Sequence, residues 1–291
     1  MNHKMKKIYL LLFAISFTSS LSAQGFYFRA GGGYGLPAAT NQIGLQALHT
    51  ENSTTSNPSN TFSTKVITGS FGSGYNFKIG AGYEFTQNFI FSFDIQYLGG
   101  RKYATSDIYN YTADTYSGSQ KDNFESNATG LLFNPSFVFS AGFGKAAPYG
   151  RFGLVAGSPK ITKTESYYYD LDGTDTRAVT WVYKNGLAVG YSAGIGMNWK
   201  LTDNLDIYTE ADFTGLTYYA KEGDMTKYVT NGTDNLSQMS EAQKKILYLK
   251  KFDPQTPYDA SKPMLAARIG SPFSSFAIEA GIRFTIVKIK E

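Results

Sequence analysis

The 291-residue chain contains no cysteine, which removes disulfide scaffolds, cysteine-ligated zinc and thiol nucleophiles together. It is also poor in charge: 17% of its residues are Asp, Glu, Lys or Arg, against about 25% in an average soluble domain. Beyond the extreme N-terminus no apolar run reaches the ~18 residues that a membrane helix needs, so a helical membrane protein is excluded. Histidine and tryptophan number two each. The chain is rich instead in aromatics and glycine, with 22 Phe, 22 Tyr and 30 Gly. That content argues against disorder and for a β protein whose hydrophobicity is spread along its length.

The N-terminus reads as an address. Lys4, Lys6 and Lys7 precede an apolar core over residues 8–17 and a small-residue stretch over 18–23, the order of a secretory signal peptide. Cleavage is expected after Ala23, or after Ser22, where Ser20 suits the −3 position better than Leu21 does. Without a cysteine there is no lipobox. Three of the 27 basic residues and none of the 23 acidic ones lie in this segment, leaving 24 against 23, a net of +1. The apparent basicity belongs to the address and argues for no nucleic-acid partner. His3 leaves with it, so His49 is the one mature histidine.

From residue 24 to 291 one unit recurs: about ten residues of period-two alternation, the pattern of a strand with unlike faces, then a connection. Eight such segments are visible, over residues 26–34, 76–85, 89–97, 129–143, 148–156, 187–199, 205–213 and 276–286. The sixth is the cleanest, with Leu187, Val189, Tyr191, Ala193, Ile195, Met197 and Trp199 opposing Ala188, Gly190, Ser192, Gly194, Gly196 and Asn198. Connections alternate long (36–75, 99–128, 157–186, 217–275) and short (86–88, 144–147, 200–204). This parity is that of a transmembrane β-barrel with short periplasmic turns and long external loops. No charged residue falls on the apolar face of any segment, where one at mid-bilayer would cost roughly 2–4 kcal/mol. Aromatics gather at both ends of that face: Tyr34, Tyr97 and Phe276 near the long connections, Phe89, Phe143 and Trp199 near the short ones. Pro135 interrupts the fourth segment, and either a bulge or a nearby membrane boundary would accommodate it.

Signal peptide, eight alternating segments and long/short connections make the chain similar to the small outer-membrane β-barrel families grouped around OmpX and the OmpA membrane domain. The last segment, with Gly281, Phe284 and Ile286, resembles the signal read by the barrel-insertion machinery. The chain continues for five residues past Ile286, whereas many family members end at the aromatic. The resemblance implies an all-β, eight-stranded antiparallel up-and-down barrel in a Gram-negative outer membrane, with periplasmic termini and long extracellular loops. No peptidoglycan-binding domain is expected after it, so the resemblance does not imply a full-length OmpA role.

On this reading Arg29, Lys78, Arg151 and Arg283 share the lumen with Glu84, Asp94, Asp206, Glu210, Asp212 and Glu279. A barrel this narrow is filled by its side chains, so mutual pairing is expected rather than a conducting path. Outer-membrane lipid A deacylases, palmitoyltransferases and omptin proteases rely on a histidine with a placed Ser or Asp partner. His49 sits in a Ser/Thr/Asn-rich stretch with no evident partner, so no enzyme, cofactor or metal is expected. Asp170, Asp172 and Asp175 suggest a calcium loop, but glycine occupies the fourth position rather than the sixth. The flanks 165–169 and 178–183 are strand-like, so the tip of a hairpin that extends the fifth and sixth segments outward as a ribbon fits better. Gly31, Gly32, Gly33 and Gly35 form a weak phosphate-loop lookalike with no helix after it. Ser240 to Gln243 reads as a capping box. It opens a short helix whose Lys244, Lys245, Lys250 and Lys251 either cap the mouth or face lipopolysaccharide. The long connections carry Tyr103, Tyr109, Tyr111, Tyr116, Tyr167, Tyr168, Tyr169, Tyr218 and Tyr219, with Trp181, among small polar residues. That composition suits a paratope as well as extended strands. The expectation is a monomer with a plugged lumen and a structural or surface-interaction role. A narrow channel or small-hydrophobe transporter is the alternative.

Overall fold

The computed structural model describes residues 25–38, 40–86, 88–115, 117–141, 145–170, 174–255 and 257–286. The signal segment 1–23, Phe143, Tyr116, and Asp172 with Gly173 of the calcium-loop lookalike lie outside the described residues. No helix among the described residues is long and apolar enough to cross a membrane.

The chain is all-β. Its first half forms β1 (Gly25–Pro37), β2 (Asn41–Asn52), β3 (Ser59–Gly69), β4 (Gly74–Glu84), β5 (Phe89–Gly100), β6 (Tyr103–Thr112), β7 (Ser117–Ser140), β8 (Ala146–Gly157) and β9 (Lys160–Asp170). The second half adds β10 (Thr174–Lys184), β11 (Leu187–Lys200), β12 (Leu205–Tyr219), β13 (Glu222–Thr230), β14 (Thr233–Asp234), β15 (Lys245–Leu249), β16 (Met264–Ala267), β17 (Gly270–Pro272) and β18 (Ser275–Thr285). All eighteen belong to one sheet. The expected eight is therefore too few, because the long connections are themselves strands. Nor is the sheet purely antiparallel: β2 with β6 and β15 with β16 run parallel.

The eight alternating segments lie on β1, β4, β5, β7, β8, β11, β12 and β18. They pair in that order, each antiparallel to the next, and β18 pairs back to β1. Period-two alternation gives this cycle two unlike faces. The outward face is apolar and exposed, with Ile195 at 72%, Leu154 at 62% and Ile278 at 61%. The inward face is polar and closed: Lys78, one residue from exposed Phe77, is 1% exposed. Pro135 points outward opposite Phe93 of β5. The β7–β8 ladder stops at Phe133↔Ala156 and resumes in the same register at Ser136↔Gly153. Neither a bulge nor a strand end is involved; the absent N–H interrupts the ladder locally.

β7 is 24 residues long and serves two storeys. Its second half pairs with β5 and β8, its first half with β6 and β9. The upper storey continues the sheet in the order β3, β2, β6, β7, β9, β10, β13, β15, β16. One helical turn, α1 (Glu241–Lys244), carries the expected capping box, Ser240 and Gln243 each accepting the other's backbone N–H. The helix expected to carry Lys250 and Lys251 ends there. So short a helix has little stability of its own, and Lys245 onward becomes β15, half-burying Ile246 and Tyr248 against β13.

Inside the cycle the side chains lie in layers. The inward residues of β5 read Ile90, Ser92, Asp94, Gln96, Leu98: apolar, polar, charged, polar, apolar. Ile90 joins Tyr27, Val138 and Tyr149 in one apolar layer. Leu98 joins Leu132, Val155, Leu216 and Tyr218 in the other, which Phe71 and Phe273 close from the chain just before β4 and β18. Inward tyrosines lie across glycines of the next strand, Tyr27 opposite Gly82 and Tyr149 opposite Gly196. A β-carbon at either glycine would run into the tyrosine ring. Gly82→Val and Gly196→Val are each expected to lower the unfolding free energy by about 1–3 kcal/mol, as overpacking does. Gly150, where a β-carbon meets nothing nearer than 3.9 Å, is the control: Gly150→Ala is expected to shift it by less than about 0.5 kcal/mol. Urea titration of the refolded protein measures all three.

Candidate functional site

The two apolar layers enclose a cross-braced set of charges. Arg29 of β1 donates from Nε and Nη2 to the two carboxylate oxygens of Asp94 on β5, both at 2.7 Å. Arg151 of β8 reaches the same Asp94 through Nη2 at 2.6 Å and Glu210 of β12 through Nη1 at 3.0 Å. Glu210 also accepts from the Tyr149 hydroxyl at 2.8 Å and from Arg29 Nη1 at 3.4 Å. Ser136 accepts from Arg151 Nη2 at 2.9 Å. The four charged members stand on every second strand of the cycle, so one bidentate guanidinium–carboxylate cluster ties together four walls.

A second cluster lies beside it. Lys78 of β4 donates to Asp212 of β12 at 3.0 Å. Its Nζ also stands 2.9 Å from Glu279 Oε1 of β18, an ion pair without hydrogen-bond alignment. Asn134 and Ser192 bond each other across the interior, Nδ2 to Oγ at 2.9 Å. Toward the strand ends that bear Glu84 and Asp206, Arg283 bonds Glu84, lies 3.8 Å from Asp206 and covers the Tyr27 ring at 4.2 Å. All ten charged residues singled out in the sequence thus fall into these groups. Burying such charges without partners is costly; here each cation has at least two acidic neighbours.

The external candidates separate instead. Tyr167 and Tyr169 stack at 6.4 Å with 7° between their planes, and Trp181 stacks on Tyr183. Tyr168 points to the other face of β9 and is exposed. All four are on the antiparallel pair β9 and β10, the strand-like flanks of the expected hairpin. The Tyr167 hydroxyl donates to Glu165 at 2.6 Å; burial and that carboxylate push its pKa up to about 12. Gly281 lies inward under Tyr208, while Phe284 and Ile286 face outward. His49 corrects the loop reading: it is on β2, 2.7 Å from Asn60 Oδ1 and edge-on to Tyr109 at 4.5 Å.

Sequence reasoning missed Phe71 and Phe273, which cap the interior and stand 5.8 Å apart, with Tyr103 and Tyr218 edge-on to them. Their signal was local: a phenylalanine set among Ser and Gly or Pro, just ahead of a strand, at Ser70-Phe71-Gly72-Ser73 and Ser271-Pro272-Phe273-Ser274. Small neighbours let a large ring turn inward.

Comparison with protein families and with curated proteins finds no match.

Asp94 and Glu210 are each held by both guanidinium groups, and apolar layers cover the cluster on both sides. Asp94→Ala leaves two buried guanidinium groups short of a partner. It is expected to destabilise the protein by about 3–5 kcal/mol. Lys200→Ala, which removes an exposed pair with Asp203, is expected to change stability by less than about 1 kcal/mol. Equilibrium unfolding in urea distinguishes them.

Proposed function

We propose that the cycle of eight strands is a transmembrane β-barrel of a Gram-negative outer membrane, and that the upper storey is an extracellular platform with a structural or surface-binding role. One observation carries this reading: the outward face is a predominantly apolar belt in which exposed Phe, Ile, Leu and Val recur on strand after strand, while the charges lie within. Monomeric water-soluble proteins rarely expose contiguous apolar patches beyond a few hundred Å². A bilayer reverses the requirement, and a cycle of pairing leaves no strand edge unsatisfied in hydrocarbon. Residues 1–23 supply the export signal that such a location needs.

The interior weighs against the channel or transporter alternative. Two apolar layers and a braced charge layer fill it, as expected of an eight-stranded barrel. The role is then carried by the upper storey, with its tyrosines and Trp181 among polar residues, as a non-enzymatic binding surface on a monomer. Lys250 and Lys251, beside exposed Leu249 and Phe252, suit contact with the phosphates and acyl region of lipopolysaccharide. Phe284 and Ile286 at the end of the last strand suit the barrel-insertion machinery.

A charge placed on the belt tests the reading. Ile195→Arg is expected to lower folding stability in lipid vesicles by about 2–4 kcal/mol. Tyr168→Arg, on the upper storey, is expected to be neutral within about 0.5 kcal/mol. Equal tolerance of both would mean that Ile195 faces water and would contradict the membrane reading.

A further inference from the structure

The upper storey contains a half-enclosed cavity of about 250 Å³ among β2, β6, β7 and β9. Its origin is visible in the ladder. A register shift between Gln42 and Gly44 bends β2, and the parallel pairing of β2 with β6 begins only at Ala47↔Asp107. Ahead of that point the two strands part. Alternation sends Lys163 and Glu165 of β9 to the same face, opposite Ser126 and Phe124 of β7, which in turn stand opposite Tyr103 (through Ser126) and Thr105 of β6.

The walls combine both signs of charge with apolar surface. Lys163 has no carboxylate at ion-pair distance among the described residues. Its ammonium lies 5.5 Å from the Tyr183 ring. Burial pulls its pKa below lysine's ordinary value, and Glu165 only partly opposes this. A ligand carboxylate would give this ammonium the direct ion pair that it does not form among the described residues. On the acidic side, Glu165 uses Oε2 for Tyr167 and Asp107 uses Oδ1 for the Ala47 N–H at 2.9 Å. Among the described residues each has a second oxygen that no hydrogen bond or ion pair occupies, available to a ligand ammonium. Ile43, Phe124 and Tyr103 provide apolar cover between the charged groups. The volume lies below the ~300–1,000 Å³ common for drug-sized ligands.

We propose that this cavity binds a small zwitterion of the α-amino-acid class, with Lys163 holding the carboxylate, Glu165 and Asp107 the ammonium, and Ile43 and Phe124 the apolar side chain. The proposal deepens the binding role given above to the upper storey and rests on it.

The test uses the full chain refolded in detergent micelles, with phenylalanine as the probe and saturation-transfer NMR as the readout. Phenylacetate and phenethylamine each lack one of the two charges. Phenylalanine is expected to bind at millimolar concentration, and each analogue at least about tenfold more weakly, as loss of a charge-assisted hydrogen bond implies. Lys163→Met and Glu165→Gln are each expected to weaken phenylalanine binding by a similar factor. Neither is expected to change heat-modifiable gel migration, which reports the folded barrel. Absence of a phenylalanine signal, equal binding of all three probes, or binding that survives both variants would overturn the proposal. Wild-type protein without heat-modifiable migration would instead count against the barrel reading itself, so the two failures are separable.

Discussion

Two arginines hold the same two carboxylates, and most of the lower storey follows from that arrangement. Arg29 and Arg151 each contact both Asp94 and Glu210, and these four residues come from β1, β8, β5 and β12. Such a cluster requires walls that face one another closely and exclude water. A guanidinium with its bidentate geometry fixes the mutual orientation of those walls more tightly than an ammonium would. The layers above and below are its complement. Tyr27, Ile90, Val138 and Tyr149 cover one side, and Phe71 and Phe273 help to close the other. The glycines opposite Tyr27 and Tyr149 make room for the rings. Charge inside, aromatic closure at both ends and an apolar exterior are mutually consistent in a narrow cycle of strands, and they are what the proposed membrane barrel requires.

The upper storey obeys different rules, because several of its strands have no buried face, β3 being exposed over most of its length. Its strands carry Ser, Thr, Asn and Tyr rather than an alternation of apolar and polar residues. Local order comes from ring stacking, as at Tyr167 with Tyr169, and from cation–ring contact, as at Arg177 over Tyr167 at 4.1 Å. The sheet also departs there from simple hairpins, with β2 lying parallel to β6. The cavity is a consequence of that departure: a bend in β2 opens space that a regular ladder would fill.

This difference explains how much could be read from the chain before its structure. The eight segments of the cycle were legible because each pits an apolar face against a polar one, and a period of two survives in β11 over more than ten residues. The ten interior charges were legible for the same reason: they occupy the polar phase of those segments. Of the upper strands the β9–β10 hairpin was legible from its strand-like flanks and turn residues, whereas β3, with Ser63 and Lys65 between Phe62 and Val66, has no buried face to impose a pattern. The stretch after Ser240 misled through a genuine signal. Its capping box forms one helical turn, but pairing with β13 then takes the chain into β15. Pro135 looked like an obstacle and proves to be a local gap in one ladder.

The most direct test of the account exploits the absence of cysteine, which lets single spin labels be placed without removing native thiols. Labels at Phe152, Ile195 and Ile278, and at inward Ser136 and Ser192, would be measured in lipid vesicles against a lipid-soluble and a water-soluble relaxation agent. The account predicts that the first three respond to the lipid-soluble agent alone and that Ser136 and Ser192 respond to neither. Relaxation of the outward labels by the water-soluble agent would contradict the claim that this belt faces hydrocarbon.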